Sequence, residues 1–476
     1  MLKLAFITLG CKLNQLESES LAGAFGASGF VLARPGEEAD LVMINTCTVT
    51  SKADQKARRA IRKALKDNPA AAVVVSGCYA ELEREKLAAL PGAGLCVLPG
   101  SRKYALLELP LYIEKAGNPR GRELQTLVRR WTDQMNQAGQ LNQVSQLNQV
   151  SQLNQAGQLN QTDPPDQVDG AFRFNPGEFS FHSRPFLKIQ DGCDHSCAYC
   201  RVPLARGKSR SLPSLTALSR LRLLEEKGYA EAVLSGVNIS QYRDGERGLP
   251  ELLSLLVSGT KHIALRLSSI EIDGVSDAFI EAVRQERIRP HFHLSVQSGS
   301  DSVLAAMKRP YRAGDITAAV KKLRAVKDDP FIAADIISGF PGEAEKDFAE
   351  TYELCAALDF AWIHAFPFSP RPGTAAYTMK GKIPERDAVR RVKALTLLAQ
   401  KGRERYIGRW TGRTVSAVVE KNSPAGVNTA AGMTDNYLRV ALASFGGQTP
   451  ASAFRCRIKG PWNGAERIDI SGDLVV

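Results

Sequence analysis

Two runs of short aliphatic strands alternating with helical stretches constrain this chain most, because strand–helix–strand alternation packs as a parallel sheet with helices on its faces. In the first run, Leu2 to Leu9, Leu41 to Asn45 and Ala71 to Ser76 read as strands, and Lys52 to Lys66 as a charged, alanine-rich helix between the second and third. An α/β domain built on a doubly wound parallel sheet is expected over residues 1–131. The second run starts near Phe181 and ends in a helix near Arg405, with strands at Pro185 to Gln190, Ala232 to Gly236, Ala264 to Ser268, His293 to Gln297, Ala333 to Ser338 and Trp362 to Phe366. Six such units predict an incomplete (β/α)6 barrel over residues 179–406, open on one side to admit a bulky substrate. Beyond it the helical rhythm is lost. Thr414 to Glu420, Tyr437 to Ala441 and Phe454 to Lys459 read as short strands, so residues 407–476 are expected to form a small antiparallel β-barrel. Residues 132–178 form a low-complexity linker insertion, in which residues 134–161 repeat a six-residue unit of the Gln-Leu-Asn-Gln-Val-Ser type. So few units bury no core of their own, and no function is assigned to them.

The chain of 476 residues is too long for one core, and its 44% hydrophobic content is enough to bury two or three. Lysine and arginine outnumber aspartate and glutamate by 62 to 50, a net charge of +12 that favours a polyanionic partner without specifying one. The apolar run at the N-terminus is too short for a signal segment and reads as a first strand. No stretch is long enough to span a bilayer, so a cytoplasmic protein with no membrane partner is expected. In that reducing compartment the nine cysteines are metal ligands or buried thiols rather than disulfides.

Directly after the first strand of the second run comes Asp-Gly-Cys193-Asp-His-Ser-Cys197-Ala-Tyr-Cys200. Three thiolates on one compact loop can each hold one iron of a [4Fe-4S] cube, leaving the fourth iron open to a substrate. The competing reading is a structural zinc site, which usually closes with four ligands in paired spacing. His195, between two of the cysteines, is badly placed to close that tetrahedron and reads as a loop residue. The remaining strand ends gather on one rim, where parallel barrels build their sites. Ser-Gly236-Val-Asn238 ends the second strand, Ser268-Ser269-Ile-Glu271 the third, Gln297-Ser298-Gly299 the fourth, and Gly339-Phe340-Pro341-Gly342-Glu343 the fifth. Gly236 and Gly339 let backbone approach a ligand closely, and Asn238 and Gln297 can hydrogen-bond its polar groups.

Cys11, Cys47 and Cys78 stand 36 and then 31 residues apart, and each follows an expected strand. One β-α unit takes about 30 residues, so this spacing returns the chain to the same edge of the sheet, where open α/β sheets place ligands. With neighbouring strands about 4.8 Å apart, the three thiolates can grip a second cube. Nothing aligns Cys96, Cys355 and Cys456, which read as buried small hydrophobes.

With Thr-Leu-Gly-Cys11-Lys-Leu-Asn-Gln-Leu-Glu-Ser, Asn-Thr-Cys47-Thr-Val-Thr, Ser-Gly-Cys78-Tyr-Ala-Glu and Ile-Gln-Asp-Gly-Cys193 in hand, the chain resembles the radical S-adenosylmethionine methylthiotransferases over nearly its whole length apart from the repeat. The resemblance implies two [4Fe-4S] clusters and S-adenosylmethionine as cofactors. The central cluster would split S-adenosylmethionine into a 5'-deoxyadenosyl radical, with Tyr199 against the cluster or the cofactor's adenine. The auxiliary cluster on Cys11, Cys47 and Cys78 would carry the sulfur that is methylated and transferred. The motifs look most similar to the branch that converts N6-threonylcarbamoyladenosine, next to the anticodon of tRNA, into its 2-methylthio derivative. Alternatives are the branches acting on isopentenyladenosine in tRNA or on a ribosomal-protein aspartate and, from another class, a zinc-stabilised RNA-binding protein without activity. Arg201, where this family usually carries an aliphatic residue, and the repeat depart from the pattern without removing a ligand. The implied partners are the tRNA anticodon stem-loop and an electron donor, and residues 407–476 are expected to be a TRAM-like RNA-binding domain. That segment carries eight basic and five acidic residues. The loop bearing Arg201, Arg206, Lys208 and Arg210 is expected to be either solvated or in contact with RNA.

Overall fold

The computed structural model describes residues 1–34, 36–137, 168–420, 430–442, 452–462 and 468–475. It divides into two compact units, one of Met1–Ser180 with Asp191–Asp194 and Arg201–Lys208, the other of Phe181–Gln190, His195–Cys200 and Ser209–Val476. The repeat beyond Gln137 lies outside the described residues; its first four residues close the helix Gly121–Gln137.

In the first unit, β1 (Lys3–Thr8), β2 (Val31–Leu32), β3 (Leu41–Thr46), β4 (Ala72–Gly77) and β5 (Leu95–Val97) form a parallel sheet ordered β2-β1-β3-β4-β5. Every residue of β3 and β4 is buried, as expected of central parallel strands covered on both faces. Their side chains alternate between two cores. Leu41, Met43 and Val74 meet Phe25 and Trp131 on one face, while Val42, Ile44, Val73 and Val75 meet Ile61 on the other. The helix Ser51–Asp67 supplies that second core from Ala57, Ile61 and Ala64 at helical spacing, and Thr50 caps it by accepting from the Ala53 N–H at 3.1 Å. β2 and β5, at the two edges, are too short to show a period in the sequence.

In the second unit, β6 (Phe186–Lys188), β9 (Glu231–Ser235) and β10 (Ala264–Leu267) make one parallel sheet, ordered β10-β9-β6. β11 (His291–Gln297), β12 (Phe331–Ser338) and β13 (Trp362–Pro367) make another. Parallel bridges from Leu265 to Ile288 and from Ile270 to Leu294 run between the segments of β10 and β11. β7 (Gln190–Asp191) and β8 (Arg210–Ser211) are two-residue strands. After the long helix Glu385–Trp410, β14 (Thr414–Val419), β15 (Ala430–Thr434), β16 (Arg439–Leu442), β17 (Ala453–Pro461) and β18 (Ile470–Leu474) close a barrel in the order β14-β15-β16-β18-β17. One pairing, β16 with β18, is parallel, so the expectation of a purely antiparallel barrel is corrected.

A buried ion-pair cluster ties this barrel to the strands above it. Arg266 on β10 grips Glu231 on β9 with two nitrogens, at 2.6 and 2.9 Å, and donates to the carbonyls of Asp435 and Thr434 at 3.1 and 3.0 Å. Tyr437 in the same turn stacks on His291 at 3.8 Å. Burial alone would raise the Glu231 carboxyl; Arg266, Arg289 and Arg184 overcome it and hold the carboxyl at about 2.

Candidate cluster sites

Cys11, Cys47 and Cys78 follow β1, β3 and β4, which are neighbours in the sheet, so the three thiols come to one edge as their spacing predicted. Two glycines press the three turns together. Gly10, at φ +105°, has no room for a Cβ, which would fall 2.5 Å from Cys47 Cβ and 2.8 Å from its Sγ. A Cβ on Gly77, at φ +100°, would lie 2.4 Å from the Thr46 carbonyl oxygen and 2.6 Å from its nitrogen. Both positions demand glycine for conformation and for space. Asn14 fastens the edge further, donating to the carbonyls of Leu9 at 2.7 Å and Thr46 at 3.0 Å, while Asn45 returns a bond to the Asn14 carbonyl at 3.1 Å.

Cys11 is exposed, Cys78 half-buried and Cys47 buried. Burial pushes the Cys47 thiol up to about 11, Cys11 and Cys78 adding to the rise while the Val49 backbone and Arg206 oppose it. The side chain of Arg206 is nearly buried, with Nη2 donating to Asn14 Oδ1 at 2.9 Å and Nη1 facing Asp191 at 3.1 and 3.2 Å and Glu17 at 3.3 Å. Glu17, fully buried, also takes Lys103 and, at 3.1 Å, Asn45. Arg201 pairs with Glu83 at 3.0 Å and is buried. Two of the four basic residues expected to be solvated or to contact RNA are therefore held inside the first unit. Charge counting along the sequence cannot separate them from Lys208 and Arg210, which are exposed.

In the central triplet, the Cys193 N–H donates to the Gly207 carbonyl at 3.1 Å, and the Cys200 N–H to that of Cys197 at 3.1 Å. Gly192 tightens the turn at φ +73°, where a Cβ would collide with the Lys208 carbonyl. The Ala198 N–H donates to the Met307 carbonyl at 3.0 Å, and the Ala198 carbonyl accepts from the Ala376 N–H at 2.7 Å. Arg309 sits 3.0 Å from Cys197 Sγ, is bound to Glu271, and donates to the Tyr311 hydroxyl at 2.9 Å. Glu271 was on the expected rim. Arg309 escaped the sequence, although Lys308 before it takes a left-handed φ of 59°.

Among the described residues, no three His, Cys, Asp or Glu side chains converge closely enough to bind a single metal ion. A cube places each thiolate on its own iron, so it needs a wider trio than one ion does. Each trio supplies three cysteines, the donor set that a [4Fe-4S] cluster takes, on backbone held by glycine contacts and hydrogen bonds.

The expected cofactor contacts are distributed unevenly. Tyr199 packs beside Ala198, Met307 and Phe340, and burial raises its phenol against the pull of Arg309. A Cβ on Gly236 would lie 2.8 Å from Gln190 Oε1, and the same oxygen accepts the Asn238 N–H at 2.9 Å. Asn238 Oδ1 accepts from the Ser240 N–H at 3.2 Å. Gln297 ends β11 at φ 66°, a left-handed conformation that is uncommon outside glycine. Gly339, at φ +81°, leaves no room for a Cβ against Ala388 and donates to Glu343. His195 lies in the loop, 3.7 Å from Asp273. Cys96, Cys355 and Cys456 are buried, and burial pushes their thiols up to about 11, 12 and 12.

Residues 3–97 match the model of the uncharacterized protein family UPF0004, and residues 187–355 that of the radical SAM superfamily. The class is therefore that of radical S-adenosylmethionine proteins with an added N-terminal sheet. The threonylcarbamoyladenosine tRNA methylthiotransferase MtaB of Treponema pallidum (strain Nichols) is 40% identical over 473 residues, covering 95% of this chain and 97% of that one. The tRNA-2-methylthio-N(6)-dimethylallyladenosine synthase of Cereibacter sphaeroides (strain ATCC 17025 / ATH 2.4.3) is 31% identical, covering 96% and 95%. The chain belongs to the threonylcarbamoyladenosine tRNA methylthiotransferase family. In fold it is similar to the radical S-adenosylmethionine methyltransferase TsrM of Kitasatospora setae, at a TM-score of 0.50 and 15% identity over 79% of this chain and 76% of that one.

Proposed function

We propose that this chain methylthiolates carbon 2 of N6-threonylcarbamoyladenosine next to the anticodon of tRNA, using S-adenosylmethionine and two [4Fe-4S] clusters. The observation that carries this reading is the gathering of Cys11, Cys47 and Cys78 at one sheet edge, on a chain that also bears the separate Cys193, Cys197 and Cys200 loop. One trio serves a radical cleavage; a second is what a sulfur-transfer reaction adds. When bound, the clusters supply an electron to S-adenosylmethionine and the sulfur that leaves with the product. Cys193, Cys197 and Cys200 hold the central cluster and leave one iron to the cofactor. Tyr199, Gly236, Asn238, Gln297 and Gly339 line the cofactor's place, Gly236 and Asn238 through the turn they build on Gln190. Arg309 and Glu271 fix the loop beside Cys197.

The six parallel strands from Phe186 to Pro367 serve as one incomplete barrel. Residues 1–131, 132–178, 179–406 and 407–476 are the methylthiotransferase, linker, radical and TRAM-like segments. Arg455, Arg457 and Lys459 alternate on the exposed face of β17, where they offer charge to a phosphate backbone. An electron donor is required. Among the described residues no helix is long and apolar enough to cross a membrane, and a cytoplasmic site of action is part of the proposal.

The test is mass spectrometry of tRNA nucleosides with and without the gene. Loss of 2-methylthio-N6-threonylcarbamoyladenosine on deletion is expected. An unchanged peak, with a 2-methylthio-dimethylallyladenosine peak lost instead, rejects this substrate in favour of the reaction named for the Cereibacter sphaeroides relative.

A further inference from the structure

One face of β11, β12 and β13 carries side chains that neither cluster site uses. The strand register aligns His293 with Ala333 and Ala333 with Trp362, then Asp335 with His364 and Ile337 with Phe366, so all these residues share that face. The alternate residues Phe292, Leu294, Ile332, Ala334 and Ile336 are wholly buried on the other. On the shared face, Phe331 at the start of β12 packs against Tyr406 and Tyr437, at 5.2 and 5.5 Å between ring centroids. At the far end Ile337 packs beside Ala198 and Tyr199 of the central cysteine loop. The face is thus turned toward that loop, and its middle is half-exposed rather than filled. Inward positions of parallel barrels are ordinarily packed with branched aliphatic side chains. Here they are imidazoles, a carboxylate and aromatic rings, and Phe366 is 45% exposed.

The rings are already aligned. His293 and His364 stack at 5.0 Å and 18°, and His364 and Phe366 lie nearly parallel at 6.4 Å and 8°. Trp362 Nε1 donates to His364 Nδ1 at 3.3 Å, which holds that imidazole in plane. Asp335 Oδ1 stands 2.9 Å from His293 Nε2.

We propose that His293, His364 and Phe366 form a stacking seat for the flipped-out purine of the RNA substrate, with Trp362 and Asp335 as positioning residues that orient the two imidazoles. An enzyme acting on a ring carbon of a stacked base must take the base out of the stack, and aromatic side chains then replace the neighbours it has lost. A π-face accepts either purine, so the seat sets where the ring lies rather than which base it is. The proposal rests on reading the chain as a methylthiotransferase of an RNA base.

The test uses the holoenzyme with two anticodon-stem-loop hairpins, one carrying N6-threonylcarbamoyladenosine and one carrying fluorescent 2-aminopurine at the same position. Phe366→Leu, which removes a half-exposed ring and keeps its bulk, is expected to raise KM about tenfold, the size of one lost base–aromatic contact, with kcat unchanged. The bound 2-aminopurine hairpin should brighten in the same variant, because its stacking quencher is gone. His364→Leu should behave likewise and His364→Phe should restore both readouts. Unchanged KM and unchanged bound fluorescence in Phe366→Leu overturn the seat. Should the wild-type enzyme leave the threonylcarbamoyl hairpin unmodified while Phe366→Leu still brightens 2-aminopurine, the substrate reading falls and the seat stands.

Discussion

The two cysteine trios are placed in the fold by opposite routes. Cys193, Cys197 and Cys200 lie within eight residues of one another, on one loop that begins at the tight turn of Gly192. Cys11, Cys47 and Cys78 are spread over 68 residues and depend on three strands holding register, with Gly10 and Gly77 letting their turns touch. A local site tolerates change in distant packing; a site assembled from separate strands inherits every error in it.

The sharpest way to break this comparison is Gly77→Ala. The added methyl meets Thr46 backbone on both sides, at a φ that alanine rarely adopts, and neither neighbour can yield without moving β3. Iron in anaerobically reconstituted protein is expected to fall from about eight to about four per chain, the loss of one cube. Cleavage of S-adenosylmethionine to 5'-deoxyadenosine should survive while methylthio product disappears. Retention of eight irons in this variant would show that the dispersed trio does not need the close contact.

Next in size is Arg206→Gln, which removes the guanidinium facing Asp191 and strips a cation from the fully buried Glu17. Breaking a buried pair by removing one partner costs about 3–5 kcal/mol, seen here as a lower denaturant midpoint. Lys208→Gln, on an exposed chain of the same loop, is expected to change the unfolding free energy by no more than about 0.5 kcal/mol and so to leave that midpoint nearly in place. Equal effects from the two would mean that the Arg206 network is not a structural element of the first unit.

The second unit has its own buried carboxylate, and there pH sharpens the contrast. Glu231 is held at about 2, below its ordinary 4.5, so its contribution is complete above pH 4.5 and is lost as pH falls toward 2. A shift of that size corresponds to about 3 kcal/mol, shared among Arg266, Arg289 and Arg184. Denaturant midpoints taken from pH 5 to pH 3 should fall in the wild type, and fall less steeply in Glu231→Gln, which begins lower. Parallel curves would remove Glu231 as the acid-sensitive group.

The places where sequence and structure part follow one pattern. β3 and β4 were legible because buried parallel strands leave continuous aliphatic runs bounded by turn residues. β15 and β18 were not, since Ala-Ala-Gly-Met-Thr and Ile-Ser-Gly-Asp-Leu carry too little periodicity to stand out from a loop. The loop from Arg201 to Arg210 looked uniform because its charges are of one sign. Its division into two buried ion pairs and two exposed cations depends on Glu17, Glu83 and Asp191, two of which lie more than a hundred residues away.

By itself the sequence determined the alternation of strands and helices, the two trios of thiols and their return to strand ends, because period and spacing are carried by the chain's own covalent order. Tertiary structure alone decided that Gly10 and Gly77 must lack side chains, that Arg206 is a buried partner and Arg309 a neighbour of Cys197, and that His293, Asp335, His364 and Phe366 share one half-open face. These are relations between segments distant in the chain. Strand register and packing set them, and neither is written in local composition.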